Sequence, residues 1–348
     1  MEKKKRKKKR KSPLRVALER MGIFISSTLV MAFVGLYGVM FIVAKGPSET
    51  AQRLFVMSVK ETSAIGFLAN WFYSDEEIAE IVGNGRNSDV DEDVNVALIQ
   101  IEGEKNKVSD KTDDNPEAET KDLELVDIIG PTYKGKMLII KDPSRVFVGV
   151  SGEFGADKSG RTVKSMTESY QCIAGTNAGG FSDPNGVGKG GVPLGIVFSQ
   201  GEMKWGSKSQ EYEIIGFDKN NILHVGKMTG QEALDADIRD AVGFGPILIV
   251  NGNAQNETEP LGGGLNPRTA IGQRADGAVL LLVIDGRQAS SLGATYDDLI
   301  DVMEKYGAVN AANLDGGSSS HLVYEGEIVT ICSSLYGPRN IPTSILVK

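Results

Sequence analysis

The sequence contains very few of the side chains that bind transition metals or form disulfides. It has two histidines and two cysteines among 348 residues. Two cysteines are too few for a disulfide scaffold, and neither a His-Glu-x-x-His motif nor a Cys/His cluster is present to hold zinc. Cys172 and Cys332 either form one bridge or remain two thiols, and the sequence does not distinguish these states.

Two common catalytic and nucleotide-binding motifs are also missing. No Gly-x-Ser-x-Gly sequence marks a serine nucleophile, so Ser318–Ser320 are poor nucleophile candidates. The stretch "GVGKGG" at 186–191 matches Gly-x-Gly-x-x-Gly in form, but Pro193 follows where a helix should begin. It also lacks the Lys-Ser/Thr of a phosphate loop. We therefore expect no required cofactor; a bound divalent cation is conceivable, but the sequence does not require one.

Charge is distributed very unevenly along the chain. Residues 1–20 hold eleven Lys/Arg and two Glu, a net of +9, whereas the whole chain carries −8, so the other 328 residues carry −17. A folded domain that binds nucleic acid should itself be basic. The acidic body therefore argues against a nucleic-acid partner, and the basic tail suits an anionic lipid surface.

Charge is absent from residues 21–44, "MGIFISSTLVMAFVGLYGVMFIVA". As a helix this run would extend about 36 Å, enough to cross a hydrocarbon core of about 30 Å. It is longer than the core of a cleaved signal peptide, about 7–15 residues, and "VAKG" is a poor cleavage site. The positive-inside rule then predicts a single-pass anchor in the cell membrane, with residues 1–20 cytoplasmic and everything after residue 45 outside.

The composition after the anchor predicts three further regions. Residues 45–82 are expected to form a helical stalk, with a capping box from Ser74 to Glu77. Residues 83–122 are acidic and lack aromatics, which predicts a flexible linker with one short ordered piece at "VNVALIQI". Residues 123–348 alternate strand-like runs with Gly-rich turns. This pattern predicts one α+β domain on a mixed β-sheet with few helices, of which "QEALDADIRDA" and "TYDDLIDVMEKYG" are the clearest.

Two strand ends near the C-terminus carry the first candidate site residues. The apolar run 278–284 ends at Asp285, and a second apolar run, 308–314, ends at Asp315. A helix follows the first run over 294–307, with Thr295 as its candidate N-cap and Asp298 three residues on. Strand–helix–strand with short connections predicts parallel strands whose carboxyl ends share one sheet edge. The two Asp-Gly corners then either form one site or are two ordinary turns.

Four stretches resemble one known family. They are "NAGGF" (177–181), "NPRTAIGQRADGAVLLLVIDGR" (266–287), "SSLGATYDDLIDVMEKYGAVNAANLDGGSSSHLV" (290–323) and "PRNIPTSILV" (338–347). In this order they resemble the phosphodiester glycosidases, a family that includes the lysosomal uncovering enzyme and bacterial relatives linked to exopolysaccharide biosynthesis. The family usually has a third Gly where Ser318 stands. The resemblance spans about residues 125–348 and is silent on the anchor and the linker.

The resemblance implies cleavage of a sugar 1-phosphodiester, which already carries a good leaving group. The site then needs a cation for the phosphate and a carboxylate for the oxocarbenium-like centre or the attacking water. Asp315 and Asp285 suit the carboxylate tasks. Arg268 suits the phosphate because its planar fork binds oxygens in pairs, and Arg287 is a second candidate. The remaining substrate-binding candidates are Asn177, Asn313, Gly179, Gly180, Gly316, Gly317, Ser318 and His321.

These observations lead to one preferred function and two alternatives. The preferred one is a membrane-anchored, extracytoplasmic glycosidase that hydrolyses an N-acetylglucosamine-1-phosphate type diester in envelope or exogenous glycans. A non-catalytic envelope protein that binds glycan or assists exopolysaccharide assembly would use the same pocket. An ordinary two-carboxylate glycosidase is the third reading. His321 is either structural or catalytic, and His224, inside an apolar strand, is a core residue.

Overall fold

The computed structural model describes residues 12–62, 65–83, 92–101, 122–184, 189–256, 261–334 and 336–348. The chain divides into two compact units, Met1–Phe55 and Val56–Lys348. Part of the predicted linker, including residues 102–121, and the "GVGKGG" positions 186–188 lie outside the described residues.

The first unit contains the long helix α1, Pro13–Lys45. Pro13 begins the helix, where a missing N–H costs nothing, and the Ser12 side chain accepts the N–H of Arg15. By length and composition α1 can cross a membrane, a test that a signal sequence also passes. The apolar run 21–44 is therefore part of one longer helix.

The other helices are short and follow capping signals in the sequence. They are α2 (Glu49–Lys60, which contains the boundary between the units), α3 (Asp75–Gly83), α4 (Val163–Tyr170), α5 (Gly230–Asp235) and α6 (Tyr296–Lys305). Short 3-10 segments cover Gly66–Trp71, Val96–Leu98, Pro143–Arg145 and Gly317–Ser319.

Two capping predictions are confirmed and one helix prediction is partly wrong. Ser74 and Glu77 exchange the two hydrogen bonds of a capping box at the start of α3, and Thr295 with Asp298 does the same for α6. The run "QEALDADIRDA" is helical only to Asp235. Its second half enters a strand at Ile238 that pairs on both sides, so sheet pairing overrides helix propensity there.

The part of the second unit that the structure describes contains seventeen strands. In chain order, β1 to β17 are Leu123–Ile129, Lys134–Ile140, Val146–Val150, Ala174–Asn177, Val197–Ser199, Glu202–Trp205, Glu211–Asp218, Leu223–Thr229, Ile238–Gly243, Ile247–Val250, Asn253–Ala254, Arg268–Arg274, Val279–Ile284, Ala308–Leu314, Leu322–Tyr324, Glu327–Ile328 and Thr343–Val347.

The strands form three sheets. A seven-stranded sheet has the order β1-β2-β13-β12-β14-β10-β11, and two five-stranded sheets have the orders β16-β15-β4-β17-β3 and β6-β5-β9-β7-β8. Every strand pairing within the described residues is antiparallel. With few helices beside these sheets, the α+β prediction is confirmed.

Two hydrophobic cores lie on the two faces of the seven-stranded sheet. One joins all three sheets and includes Leu281, Ile345 and Val242. The other packs the sheet against α6 through residues such as Leu282 and Leu299. Every residue of β13 is buried, as its unbroken apolar run predicts.

The direction of three central strands positions the candidate site. β13 and β14 both pair antiparallel with β12, which lies between them. The two strands therefore run in the same direction, and Asp285 and Asp315 follow their carboxyl ends at one edge of the sheet. β12 begins at that edge, which brings Arg268, its first residue, between the two aspartates.

Candidate functional site

Arg268 is held rigidly at the edge of the sheet. Its side chain is 6% exposed, and Nε and Nη2 donate to the backbone carbonyls of Ala294 (3.1 Å) and Gly264 (2.8 Å). The guanidinium carbon lies 4.1 Å from the centre of the Tyr296 ring. A cation packed on an aromatic face and fixed by two carbonyls loses little freedom when it binds an anion.

Asp315 occupies the next position of the antiparallel pair. Thr269 pairs with Leu314 across β12 and β14, and Arg268 and Asp315 are the next residues toward that edge of the sheet. The Asp315 carboxylate accepts the N–H of Gly316 (3.0 Å) and a hydrogen bond from Ser319. Burial outweighs these bonds and raises its pKa to about 6. A carboxyl group with this pKa exchanges its proton near neutral pH, as acid–base groups of active sites do.

A buried hydrogen-bond network supports the Asp315 loop. The Asn177 amide group donates to the Asp315 carbonyl, and Asn177 Oδ1 accepts from Thr269 Oγ1 at 2.9 Å. Thr269 Oγ1 also lies 3.1 Å from Ser320 Oγ. Because Asn177 ends β4 and Thr269 lies in β12, the network ties two sheets together beneath the site. Asn177 is thus placed under Asp315 and contacts its backbone.

His321 lies behind the loop and is fully buried. Its Nδ1 is 2.8 Å from the Ser319 carbonyl and must carry the proton there, while Nε2 has no hydrogen-bond partner among the residues that the structure describes. Burial lowers the pKa of His321. A neutral ring that fixes the Ser319 backbone fits the structural reading of this histidine.

Arg287 and Asn266 complete the cationic rim. Arg287 Nη2 donates to Asn266 Oδ1 (3.1 Å), and Nη1 donates to Ser318 Oγ (3.2 Å). Burial and the neighbouring Arg268 charge lower the pKa of Arg287. Gly317, whose N–H donates to the Pro267 carbonyl, has φ +61°, a conformation that favours glycine. Two guanidinium groups therefore lie at one edge of the seven-stranded sheet, and their positive charges attract an anion.

Asp285 is placed at the same edge but has a structural contact. Its Oδ1 accepts the N–H of Ile331 at 2.8 Å, and its carbonyl accepts from Ser291 Oγ. Burial raises the pKa of Asp285, against the opposing effects of the Ile331 N–H and Lys136. Both carboxyl groups thus lie at one sheet edge, as predicted, but Asp285 anchors the loop around Ile331.

The other amide and glycine candidates have packing contacts. Asn313 Nδ2 donates to the Gly245 carbonyl at 2.8 Å, and within the described part of the chain its buried Oδ1 has no hydrogen-bond partner. The Gly179 N–H donates to Thr343 Oγ1, and the Gly180 carbonyl accepts from Leu194. The N–H of Gly179 is thus occupied in this structure. Gly316 lies beside Pro267, on the Arg268 side of the loop.

Two charged residues that sequence reasoning missed lie near Asp315. Arg339 donates to Asp183 at 2.6 Å, and its guanidinium lies 5.1 Å from the centre of the Phe181 ring. The charge of Arg339 lowers the pKa of Asp315 and that of Asp183 raises it, both less than burial does. Arg339 lies in the closing motif "PRNIPTSILV", and Asp183 follows "NAGGF". The sequence therefore shows both motifs but does not predict the contact between these two side chains.

A third missed residue, Glu61, binds Arg268 directly. Glu61 Oε2 accepts from Arg268 Nη2 at 2.7 Å and from Asn266 Nδ2 at 2.8 Å. Oε1 lies 3.4 Å from the Gly264 backbone nitrogen, which donates to it. Together Arg268, Asn266 and the Gly264 N–H form an anion-binding site, which we call the anion seat. The Glu61 carboxylate occupies it. No local pattern around residue 61 signals this contact.

The two cysteines, both within the described part of the chain, are thiols. Cys172 and Cys332 are not bridged, and burial raises the pKa of Cys172. Among the residues that the structure describes, no group of three or more His, Cys, Asp or Glu side chains is arranged to hold a metal ion. The cofactor expectation stays a prediction.

Comparison with known proteins assigns the family. Residues 170–348, more than half of the chain, match the family model described as phosphodiester glycosidase. The chain belongs to the phosphodiester glycosidase family, as its motifs predicted.

Two curated relatives and one solved structure show how far the similarity extends. The SPbeta prophage-derived uncharacterized protein YomE of Bacillus subtilis (strain 168) is 28% identical over 54% of this chain and 29% of its own length. The mouse N-acetylglucosamine-1-phosphodiester alpha-N-acetylglucosaminidase is 26% identical over 58% of this chain and 42% of its own. The chain thus spans less than half the length of either relative.

The solved structure supports the fold. It is the zebrafish N-acetylglucosamine-1-phosphodiester alpha-N-acetylglucosaminidase catalytic domain, described as auto-inhibited by its pro-peptide. It matches with a TM-score of 0.54 and 21% identity over 65% of this chain and 81% of that one. The second unit therefore has the fold of that catalytic domain.

Proposed function

We propose that this chain is an enzyme that hydrolyses a sugar 1-phosphodiester of the N-acetylglucosamine-1-phosphate type. The observation that carries the proposal is the anion seat of Arg268 and Asn266, already filled by a carboxylate, at the same sheet edge as Asp315. Membership of the phosphodiester glycosidase family and the activity named for the mouse relative support it. An ordinary two-carboxylate glycosidase would have no use for a buried, rigid arginine at this position.

The phosphate-binding residues and Asp315 have different tasks in the proposed reaction. The substrate's phosphate takes the seat at Arg268, with Asn266 and Arg287 beside it, and these donors stabilise the negative charge that grows as the phosphate leaves. A phosphate group leaves without protonation, so a second acid is not needed. Asp315, in its ionised form, acts on the sugar carbon or on the water that attacks it. Asn177 and Ser319 hold the Asp315 loop in place.

We also propose that the enzyme acts outside the cytoplasm while anchored by α1. The uncharged run 21–44 and the basic tail before it support this orientation. The substrates would then be glycan phosphodiesters of the envelope or its surroundings.

The direct test is hydrolysis by the full-length protein in detergent. UDP-N-acetylglucosamine and other N-acetylglucosamine-1-phosphodiesters are the test substrates, and a neutral aryl N-acetylglucosaminide is the control. The Glu61→Gln variant is assayed in parallel because it removes the carboxylate from the seat. Release of N-acetylglucosamine from the diesters and not from the control supports the proposal. If neither protein releases sugar but both bind the diesters, the glycan-binding alternative replaces it.

A further inference from the structure

A pocket of about 410 Å³ lies outside the anion seat and has two aromatic rings in its wall. Trp205 ends β6 and Tyr212 lies near the start of β7, and we call this cavity the Trp205 pocket. The lining also includes Leu194, Gly195, Gly206 and Gln210. Small-molecule sites typically have volumes of about 300–1,000 Å³. The pocket is therefore large enough for one sugar ring.

Both aromatic side chains are held in position by other residues. The Trp205 ring packs against Phe154, with 6.0 Å between the ring centres and an interplanar angle of 86°. The Tyr212 hydroxyl accepts the Ser207 N–H at 2.8 Å and donates to Gln210 Oε1 at 3.2 Å. Both rings are only partly buried. They therefore offer a fixed surface, and a ligand that packs on it orders few side chains.

Two glycines line the pocket with backbone alone. Gly206 has φ +108°, and a Cβ atom there would lie 2.9 Å from Ile196 Cγ1. Gly195 has φ +76°, and a Cβ atom there would lie 3.1 Å from the Gly243 Cα. Both conformations favour glycine, and both positions have little room for a side chain. The space beside the two rings is therefore left to a ligand.

The chemistry of the lining indicates a neutral ligand. All eight lining residues are uncharged, whereas the anion seat contains Arg268. Aromatic faces pack against apolar C–H surfaces, and the Gln210 amide and the Ser207 hydroxyl form hydrogen bonds with polar groups. A pyranose ring has C–H groups on its faces and hydroxyl groups around its rim. A neutral sugar unit therefore matches this lining, and a phosphate group does not.

A short stretch of backbone joins the pocket to the Asp315 loop. The Ala178 carbonyl accepts the Asp315 N–H at 2.9 Å, and the Gly180 carbonyl accepts the Leu194 N–H at 2.9 Å. Two residues of extended chain span about 7 Å. The backbone nitrogens of Asp315 and Leu194 are therefore separated by about 13 Å or less. Two linked sugar rings cover that distance.

The sheet order determines on which side of β14 the pocket lies. β14 lies between β12, which begins at Arg268, and β10. The turn before β10 lies beside the end of β14, where the Asn313 N–H donates to the Pro246 carbonyl at 3.0 Å. Gly243, just before this turn, packs against Gly195 of the pocket. Arg268 thus lies on one side of β14, and the segment that borders the pocket lies on the other.

We propose that the Trp205 pocket binds a second sugar unit, joined to the sugar whose bond to phosphate is cleaved. This inference rests on the proposed function, which places the phosphate at Arg268 and the sugar carbon at Asp315. The sugar then extends from Asp315 away from Arg268, toward the β10 side of β14 and the pocket. The substrate is therefore an oligosaccharide linked through its reducing end to phosphate, and not a single N-acetylglucosamine unit.

The expected effect on affinity is that of one aromatic anchor. Truncating such a residue at a binding surface typically weakens binding by about tenfold or more. A disaccharide that reaches the pocket should therefore bind about tenfold tighter than its single sugar, and Trp205→Ala should remove this difference. Trp71→Ala is the matched control, because Trp71 is the other tryptophan of the chain and is 48% exposed.

The first experiment uses Trp205 as the reporter. In the full-length Trp71→Phe protein, purified in detergent, Trp205 is the remaining tryptophan, so its fluorescence reports contacts in the pocket. The probes are neutral because the Glu61 carboxylate occupies the anion seat. They are N-acetylglucosamine, glucose, the β-1,4-linked dimer of each, and maltose. A proline-rich peptide is included because aromatic grooves also bind such peptides.

The titration has a clear expected result. We expect a saturable change in Trp205 emission with at least one disaccharide, at about tenfold lower concentration than with its single sugar. Emission that changes with none of the sugars, or with the peptide alone, overturns the inference. A single sugar that binds as tightly as its dimer also overturns it, because the pocket then holds no second unit.

Hydrolysis distinguishes a sugar subsite from a structural role of Trp205. The substrates are the UDP diesters of the disaccharide that binds best and of its single sugar. We expect kcat/KM to be about tenfold higher for the disaccharide in wild type and in Trp71→Ala. In Trp205→Ala the two values should be equal, with that of the single sugar unchanged. An equal loss on both diesters would mean that Trp205 only supports the fold, and it would overturn the inference.

The inference and the proposed function fail in different ways. Disaccharide binding at Trp205 without hydrolysis of any diester contradicts the function and leaves the sugar-binding pocket standing. Hydrolysis of both diesters by wild type with equal kcat/KM contradicts the second sugar unit and leaves the function standing.

Discussion

Arg268 and Asp315 each adjoin the last paired residues of β12 and β14, Thr269 and Leu314, at one edge of the seven-stranded sheet. A cation fixed by backbone carbonyls and a carboxyl group with a pKa of about 6 are thus held by a single antiparallel strand pair. In the proposed reaction the Arg268 guanidinium would bind the phosphate and the Asp315 carboxylate would act at the sugar carbon of the same substrate.

Replacing Asp315 by Asn should abolish turnover while leaving binding intact. We expect hydrolysis of a sugar 1-phosphodiester to fall by about 10² or more, the scale of positioned acid–base groups, because Asn is nearly isosteric but cannot ionise. Calorimetric binding of an unreactive diester analogue should remain. Native-rate hydrolysis by Asp315→Asn would show that this carboxyl group is not catalytic.

The same variant should be more stable than wild type at neutral pH. The folded protein binds the Asp315 proton up to pH about 6, whereas the unfolded chain releases it near 3.8. Because the native state holds more protons between these values, the free energy of unfolding falls as pH rises through this window. Asp315→Asn removes that loss, worth on the order of 1–3 kcal/mol. Chemical denaturation of both proteins at pH 4 and pH 7 measures the difference, which should appear only at pH 7.

Arg268→Lys should weaken binding and turnover together. Lys keeps the charge but loses the planar fork that reaches two oxygens, and phosphate is held in both the ground and transition states. We expect a loss of about tenfold or more in kcat/KM, in which KM rises because phosphate binding weakens and kcat falls because the charge of the leaving phosphate is less well stabilised. Arg274→Lys, at an exposed arginine paired with Asp276, is the control and should behave as wild type. A kcat loss at unchanged KM would place Arg268 in the chemical step alone.

Replacing Asp285 should have a different effect from replacing Asp315. Asp285 already accepts the Ile331 N–H, so Asp285→Ala should destabilise the fold by about 1 kcal/mol, the net contribution of one hydrogen bond to an exposed backbone N–H. Asp285→Asn retains an acceptor oxygen and should keep most of the turnover that Asp315→Asn loses. Equal collapse of turnover in the two Asn variants would restore Asp285 as a second catalytic carboxylate.

The Asp183–Arg339 pair should tune the pH dependence of activity. Activity that needs ionised Asp315 rises with pH around 6. Asp183→Asn removes a like charge and should shift this rise to lower pH, whereas Arg339→Gln removes a cation and should shift it to higher pH. The measurement is kcat/KM from pH 4 to 8 in both variants. Shifts in the same direction would mean that the pair acts through folding.

The proposed membrane orientation predicts where a protease can cut. With the basic tail inside and the body outside, protease added to intact cells should release a soluble fragment by cleavage within 83–122, whose composition predicts exposure. An antibody against the C-terminus follows the fragment. A body that stays protected until the cells are lysed would reverse the orientation.

Local patterns in the sequence determined several parts of this protein. The unbroken apolar run of β13, the capping box of α6 and the two strand ends at Asp285 and Asp315 were all predicted. These features depend on burial and on hydrogen bonds between residues a few positions apart, so their signals are local. The family motifs indicated Arg268 as a candidate phosphate-binding residue for the same reason, since each motif is one continuous stretch of sequence.

Only the tertiary structure decided which residues meet at the site. It placed β12 between β13 and β14. It also formed the hydrogen bond from Asn177 to the Asp315 carbonyl and the one from the Ile331 N–H to Asp285. It also brought Glu61 to Arg268 across 207 positions. Such contacts arise from sheet order and from the packing of distant segments. Neither hydrophobic periodicity nor a capping pattern predicts these contacts, because the sequence between two distant residues does not indicate that they will be in contact.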